Sequence, residues 1–220
     1  MPRESPKDRW NRWIAVLVAA FVLSSGGCAA VATAIYVAKG TNAEAEFNGL
    51  RGKRVVVVCR PAAALQYNHS NVARDLADQV GLLLKKNIIR KKIELIDQEE
   101  VERWTDENAW DEYTELGEAL DAEMVLAVDL EAFSIYQGQT LFQGRANVSV
   151  TVVDMETRDT VFEKTLPETV YPPNIGIPTS EKQEAEFRRQ FVGELAEEIA
   201  RHFYAHDTRV DFAKDAKAFQ

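Results

Sequence analysis

Four consecutive valines, Val55 to Val58, set the first limit on what this chain can fold into. The run Arg54–Cys59 is continuous and β-branched, the pattern of a strand buried on both faces, and Pro61 ends it. A later stretch, Leu141–Asp154, reads differently. There Ala146, Val148, Val150 and Val152 alternate with Asn147, Ser149 and Thr151. Period-two alternation leaves one face solvated, which predicts antiparallel pairing in the second half of the sheet.

The remaining elements follow from periodicity and punctuation. Ser70 or Asn71 is placed to cap a helix running to about Asn87, with Val72, Leu76, Val80 and Leu83 on one face. Ile93–Ile96 reads as a short second strand. Two acidic helical segments, about Gln98–Trp104 and Trp110–Leu120, lead into a third strand, Met124–Phe133. A polar turn, Met155–Asp159, connects Leu141–Asp154 to a return strand, Thr160–Leu166. The proline-rich stretch Pro167–Thr179 breaks regular structure. Ser180 and Gln183 have capping-box spacing and open a final helix to about Tyr204. Along it, Phe187, Phe191, Leu195, Ile199 and Phe203 recur at helical spacing. The order is β-α-β-α-α-β-β-β-α: an α/β single domain with a mixed β-sheet and packed helices, preceded by an N-terminal apolar helix.

The N-terminus sets the expected compartment. Arg3, Lys7, Arg9 and Arg12 outnumber Glu4 and Asp8, and Trp13–Ala38 follows with 26 residues free of charge. As a helix this segment would span roughly 39 Å, more than the ~30 Å hydrocarbon core of a bilayer. Ile14–Leu23 is strongly apolar, and Ser24-Ser25-Gly26-Gly27 then precedes Cys28. A basic start, a short apolar stretch and small residues describe a secretory signal. The cysteine after two glycines resembles a bacterial lipoprotein signal and implies Cys28 as the lipidation candidate, although Ser25 stands where such signals have leucine. An uncleaved signal anchor and a buried helix are the other readings. Either membrane reading keeps the basic flank inside and puts the domain on the periplasmic or extracytoplasmic side. The expected organisation is a signal peptide or anchor over 1–38, a tether over 39–52, the domain over 53–205 and a polar tail over 206–220.

Three strings carry a wider resemblance: RVVVVCRP before a long helix, GEALDAEMVLAVDLEAF, and GRANVSVTVVDMETRDTVFEKTL. Together with the element order, they resemble a group of bacterial envelope domains. The group includes curli-secretion lipoproteins, the N-terminal domain of the Tol translocation protein, and lipoprotein activators of penicillin-binding proteins. Its relatives often have glycine where Arg158 stands. The resemblance covers about residues 53–205. It implies a non-enzymatic cell-envelope protein that assembles with, regulates or positions other envelope proteins, and it transfers no functional residue.

Charge and composition exclude some classes. With 46% hydrophobic and 28% charged residues the chain can form a packed core. A net charge of −9 argues against a nucleic-acid partner, which needs a basic face. Between Asp97 and Glu123 stand twelve carboxylates and one cation, Arg103, spread along helices rather than spaced as a calcium loop. The reading is a solvated acidic face. Lys85, Lys86, Arg90, Lys91 and Lys92 gather at a helix end, where the dipole favours cations, and they also suit anionic lipid or a partner. His202 and His206 are four apart, without the glutamate or third ligand of a zinc motif, and His69 is remote. GxSxG, P-loop and GxGxxG motifs are absent from the sequence, so neither a metal, a cofactor nor an enzymatic site is expected.

The stretch Tyr136–Arg145, with two Gln-Gly pairs, reads as a hairpin loop or as a recognition loop. Under the second reading Tyr136, Gln139, Phe142 and Arg145 are interaction candidates, joined by Tyr171 of the proline-rich loop. The partner would be an envelope protein or a second copy of the chain. The alternative is a binding module for a small ligand or cell-wall glycan, with Trp104, Trp110 or Tyr136 lining a pocket.

Overall fold

Strand β1 (Arg54–Pro61) lies inside the sheet, as its valines require. The computed structural model describes residues 42–89 and 92–207, so Cys28, the rest of the N-terminal segment and the tail beyond Asp207 lie outside the described residues. From β1 the chain continues through α1 (Gln66–Asn87), β2 (Glu94–Leu95), α2 (Gln98–Glu107) and α3 (Tyr113–Ala119). Then come the long strands β3 (Met124–Gln137) and β4 (Leu141–Asp154), and β5 (Thr160–Thr165). Two short strands, β6 (Thr169–Tyr171) and β7 (Ile177–Pro178), precede α4 (Glu184–Ala200) and a 3₁₀ turn, Arg201–Phe203.

The sheet order is β2-β1-β3-β4-β5, with β6 and β7 also pairing β4. β1 is parallel to both neighbours, while β3, β4, β5, β6 and β7 pair antiparallel. The expected mixed sheet is therefore present. The four valines divide between two cores, which explains why none is polar. Val55 and Val57 face α1 and α4, where Leu76, Val80, Leu84, Phe187, Phe191, Leu195 and Ile199 are buried. Val56 and Val58 face the other layer, with Val101 of α2 and Leu116 of α3.

Several boundaries differ from the sequence reading. α1 starts at Gln66, so neither Ser70 nor Asn71 is its cap. The chain turns directly off β1, with Ala62 N–H donating to Leu130 O (2.9 Å) and Leu65 N–H to Ala62 O (2.8 Å), and the helix begins at once. The capping box of Ser180 and Gln183 does not form. Gln183 is itself the N-cap, with no side-chain bond, and its carbonyl accepts from Glu186 and Phe187. Strand β3 runs four residues past Phe133, and the proline-rich loop contributes β6 and β7 to the sheet.

Residues 46–50, within the stretch read as a tether, are packed on the domain. Leu50 is buried, and the Phe47 ring lies 5.5 Å from Phe162 and 6.3 Å from Phe203. Both Glu46 N–H (2.8 Å) and Phe47 N–H (3.1 Å) donate to His202 O. The domain thus has two distinct ends. Residues 46–53, the loop after α1 and the start of β1 gather at one; the β3–β4 hairpin, β7 and the start of α4 gather at the other.

Candidate interaction surface at the hairpin end

β3 and β4 turn through Gly138, Gln139 and Thr140, with Gly138 at φ +66°, a conformation that favours glycine. The two loops read from sequence do meet here, but as paired strands. β4 pairs β7 at Leu141↔Pro178 and Phe142↔Ile177, and β6 at Gly144↔Tyr171. Thr179 N–H donates to Thr140 O at 2.9 Å, fixing the loop against the tip.

This pairing corrects two interaction candidates. Phe142 is 3% exposed and Tyr171 2% exposed. Their rings stack on Phe187 of α4, with centroids 5.1 Å and 6.2 Å apart. Both are core residues, because β4 turns Phe142 inward and β6 brings Tyr171 onto the same helix. Arg145 is exposed yet engaged, donating to Glu168 Oε2 and Gln143 Oε1, both at 3.0 Å. Buried Gln143 in turn donates from Nε2 to Pro172 O (3.1 Å), so the three residues fasten the proline-rich loop to β4.

Tyr136 remains at the surface. Its ring is 43% exposed and rests 5.3 Å from Phe142, on the buried aromatic stack. Its hydroxyl donates to Glu184 Oε2 at 2.6 Å, which raises the phenol pKa, and Glu184 pairs with Arg188 one turn along α4. Gln139 is exposed at the tip beside it. An open cleft of about 680 Å³ lies against this ring, lined also by Thr179, Lys182, Gln183 and Glu186. Sequence reasoning missed two members of this surface. Ile175 is 62% exposed next to Gly176, which packs against Gln137 and Leu141, and Glu184 orients the tyrosine. A lone isoleucine in a proline-rich loop was the available signal for the first. The second needs the helix in place.

The other face of the sheet has a different character. Near the carboxyl end of β1, Arg60 Nε donates to Asp129 Oδ1 in the middle of β3 (3.0 Å), and the guanidinium carbon stands 4.5 Å from the centre of the Tyr113 ring and 5.7 Å from that of Trp110. Trp104 and Trp110 pack on the second core, their rings 6.3 Å apart. Burial and Asp129 push the Cys59 thiol well above its ordinary range, so it stays protonated at neutral pH. His202 Nδ1 sits 3.0 Å from Glu46 Oε1 and His206 Nδ1 3.3 Å from Tyr204 O, so they form no pair with each other. Among the described residues, no group of three His, Cys, Asp or Glu side chains is placed to hold a metal.

Comparison with known proteins finds likeness only at the level of structure. No protein-family model matches the sequence, and no curated protein sequence matches it. Among solved structures, the chain is similar to the PelC dodecamer of Paraburkholderia phytofirmans at 11% identity and a TM-score of 0.43, covering 73% of this chain and 92% of that one. It is similar to lipoprotein GNA1162 of Neisseria meningitidis at 11% identity and a TM-score of 0.43, covering 67% and 97%. It is also similar to hypothetical protein CT253 of Chlamydia trachomatis at 14% identity and a TM-score of 0.39, covering 74% and 97%.

Proposed function

We propose that this protein is a non-catalytic, membrane-anchored module of the bacterial cell envelope that works by docking a protein partner, or a second copy, on its hairpin end. The single observation that carries the docking reading is the presentation of Tyr136. An exposed aromatic ring is held in one orientation by a hydrogen bond at its tip and a buried ring beneath it. Such preorganised aromatics lose little entropy on binding and anchor interfaces. Gln139 and Ile175 extend the surface on either side. The N-terminal sequence through Cys28 supports the anchor and the envelope address, and the resemblance to envelope lipoprotein domains supports a role in positioning other proteins.

A photo-crosslinking residue at Gln139, in the full chain expressed in a bacterial envelope, tests this. One abundant adduct, lost on Tyr136→Ala with thermal stability unchanged, is the expected result. No adduct from the tip, alongside a well-folded protein, would overturn it. The cleft beside Tyr136 favours a second reading, a glycan or small ligand stacked on the ring. Saturation of Tyr136 by cell-wall saccharides without any protein adduct would select it.

A further inference from the structure

The opposite end of the domain presents a basic corner with an exposed apolar residue at its point. From Lys85 to Lys92, five of eight residues are cationic and none is acidic, in a chain whose net charge is −9. Lys85 and Lys86 occupy the last turn of α1. After Asn87 the two isoleucines are split: Ile88 is buried in the main core, while Ile89 is 76% exposed. Ile88 N–H donates to Leu84 O at 2.9 Å and Ile89 N–H to Asn87 O at 3.1 Å, so the helix end is closed and Ile89 lies just beyond it. Lys92 is exposed on the return toward β2. Arg90 and Lys91 lie outside the described residues.

An exposed isoleucine at a helix end rich in lysines is poorly explained by the fold. Lys85, Lys86 and Lys92 enter no ion pair among the described residues. Glu123 accepts from Lys53 (3.0 Å) and from Arg54 N–H (2.8 Å), and Glu94 accepts from Arg54 (3.3 Å), while Asp78 and Asp97 line an open cleft with Lys85 without forming an ion pair with it. Position adds a second argument. Glu94 N–H donates to Lys53 O at 3.0 Å, which places this corner beside the start of β1. It is therefore at the same end as residues 46–53, through which the chain comes into the domain, and at the far end from Tyr136.

We infer that Lys85, Lys86, Lys92 and Ile89 form a membrane-contact corner that docks the domain on anionic lipid headgroups, with Ile89 inserted at the interface. Cations near an anionic leaflet and an apolar side chain beneath the headgroups contribute together, and the first contribution is screened by salt. The corner would act as a second, reversible contact beside the N-terminal anchor, orienting the hairpin end away from the bilayer. It does not depend on the identity of the partner at that end.

The test uses the full chain carrying Cys28→Ser and Ile89→Cys, labelled at position 89 with an environment-sensitive dye; Cys59 stays protonated and unreactive. The protein is added to vesicles of phosphatidylcholine alone or mixed with phosphatidylglycerol. The expected result is a blue shift of the dye only with phosphatidylglycerol, lost in high salt and lost when Lys85, Lys86 and Lys92 are all changed to Gln. Identical emission with both vesicle types, or a shift indifferent to the three lysines, overturns the inference. Cosedimentation of the unsubstituted, envelope-expressed chain, with Cys28 intact, with phosphatidylcholine vesicles reports on the anchor separately, so its failure is distinguishable from failure at position 89 of the labelled variant.

Discussion

Tyr113 donates its phenolic hydrogen to Asp129 Oδ1 over 2.5 Å, and Arg60 closes on the same oxygen from its own side. The hydroxyl belongs to the first residue of α3 and the carboxylate to β3, so one hydrogen bond ties the start of a two-turn helix to the sheet. Desolvation first, then Asp129, pushes the phenol pKa upward and keeps it protonated. Tyr113→Phe removes only the donor and leaves a half-buried carboxylate with one partner fewer. The expected loss is about 1–2 kcal/mol, read from urea unfolding at unchanged slope.

Gly144 tests how closely α4 is seated. A Cβ at this position would overlap the ring of Phe191, which itself stacks on Phe133 at 5.2 Å. Gly144→Ala is expected to destabilise by about 1–3 kcal/mol through overpacking. Adding Phe191→Leu to Gly144→Ala should recover part of that loss, since the clash is with the ring. Thermal melts of the two single variants and the double variant give the comparison.

Phe142 and Tyr136 are ring neighbours with opposite roles, and substitution separates them. Phe142→Ala should cost about 3–5 kcal/mol, the value for emptying a buried aromatic site. Tyr136→Ala should stay within about 1 kcal/mol, since the residue is exposed and its bond to Glu184 is at the surface. Equal losses in chemical denaturation would place Tyr136 in the core and remove it as a docking residue.

Acid should loosen the segment at residues 46–50. Glu46 is held below its ordinary value of 4.5, chiefly by the hydrogen bond from Lys164. His202 is held below its ordinary value of 6.5, chiefly by burial and then by Lys164. Both shifts mean that the unfolded chain binds protons more readily. Stability is therefore full above pH 6.5 and falls as the pH drops, first through His202 and then, below 4.5, through Glu46. In His202→Asn, the dependence just below pH 6.5 should flatten while the loss below pH 4.5 persists, as melting temperatures across that range will record.

Local pattern carried the β elements further than the helix ends. Leu141–Asp154 is a strand with the same limits in sequence and structure, because alternation is read directly from neighbours. The extension of β3 through Ser134–Gln137 was hidden because register shifts between Leu130 and Ala132 and between Ser134 and Tyr136 interrupt the alternation that marks a strand. Helix starts were misplaced where a cap-forming residue lay near a boundary that a turn had already decided. At the candidate surface, residue type found Tyr136 and Gln139. It could not tell them from Phe142 and Tyr171, whose burial is settled by Phe187, sixteen or more residues away along the chain.

The long hairpin has a consequence in the third dimension. β3 holds 14 residues, and at about 3.3 Å per residue it spans roughly 45 Å between its first residue and its tip. Met124 lies level with the start of β1, where the chain comes into the domain. If the domain docks by its basic corner as inferred, the hairpin sets a height of up to roughly 45 Å at which Tyr136 meets its partner, and that height is fixed by the strand's length rather than by any side chain.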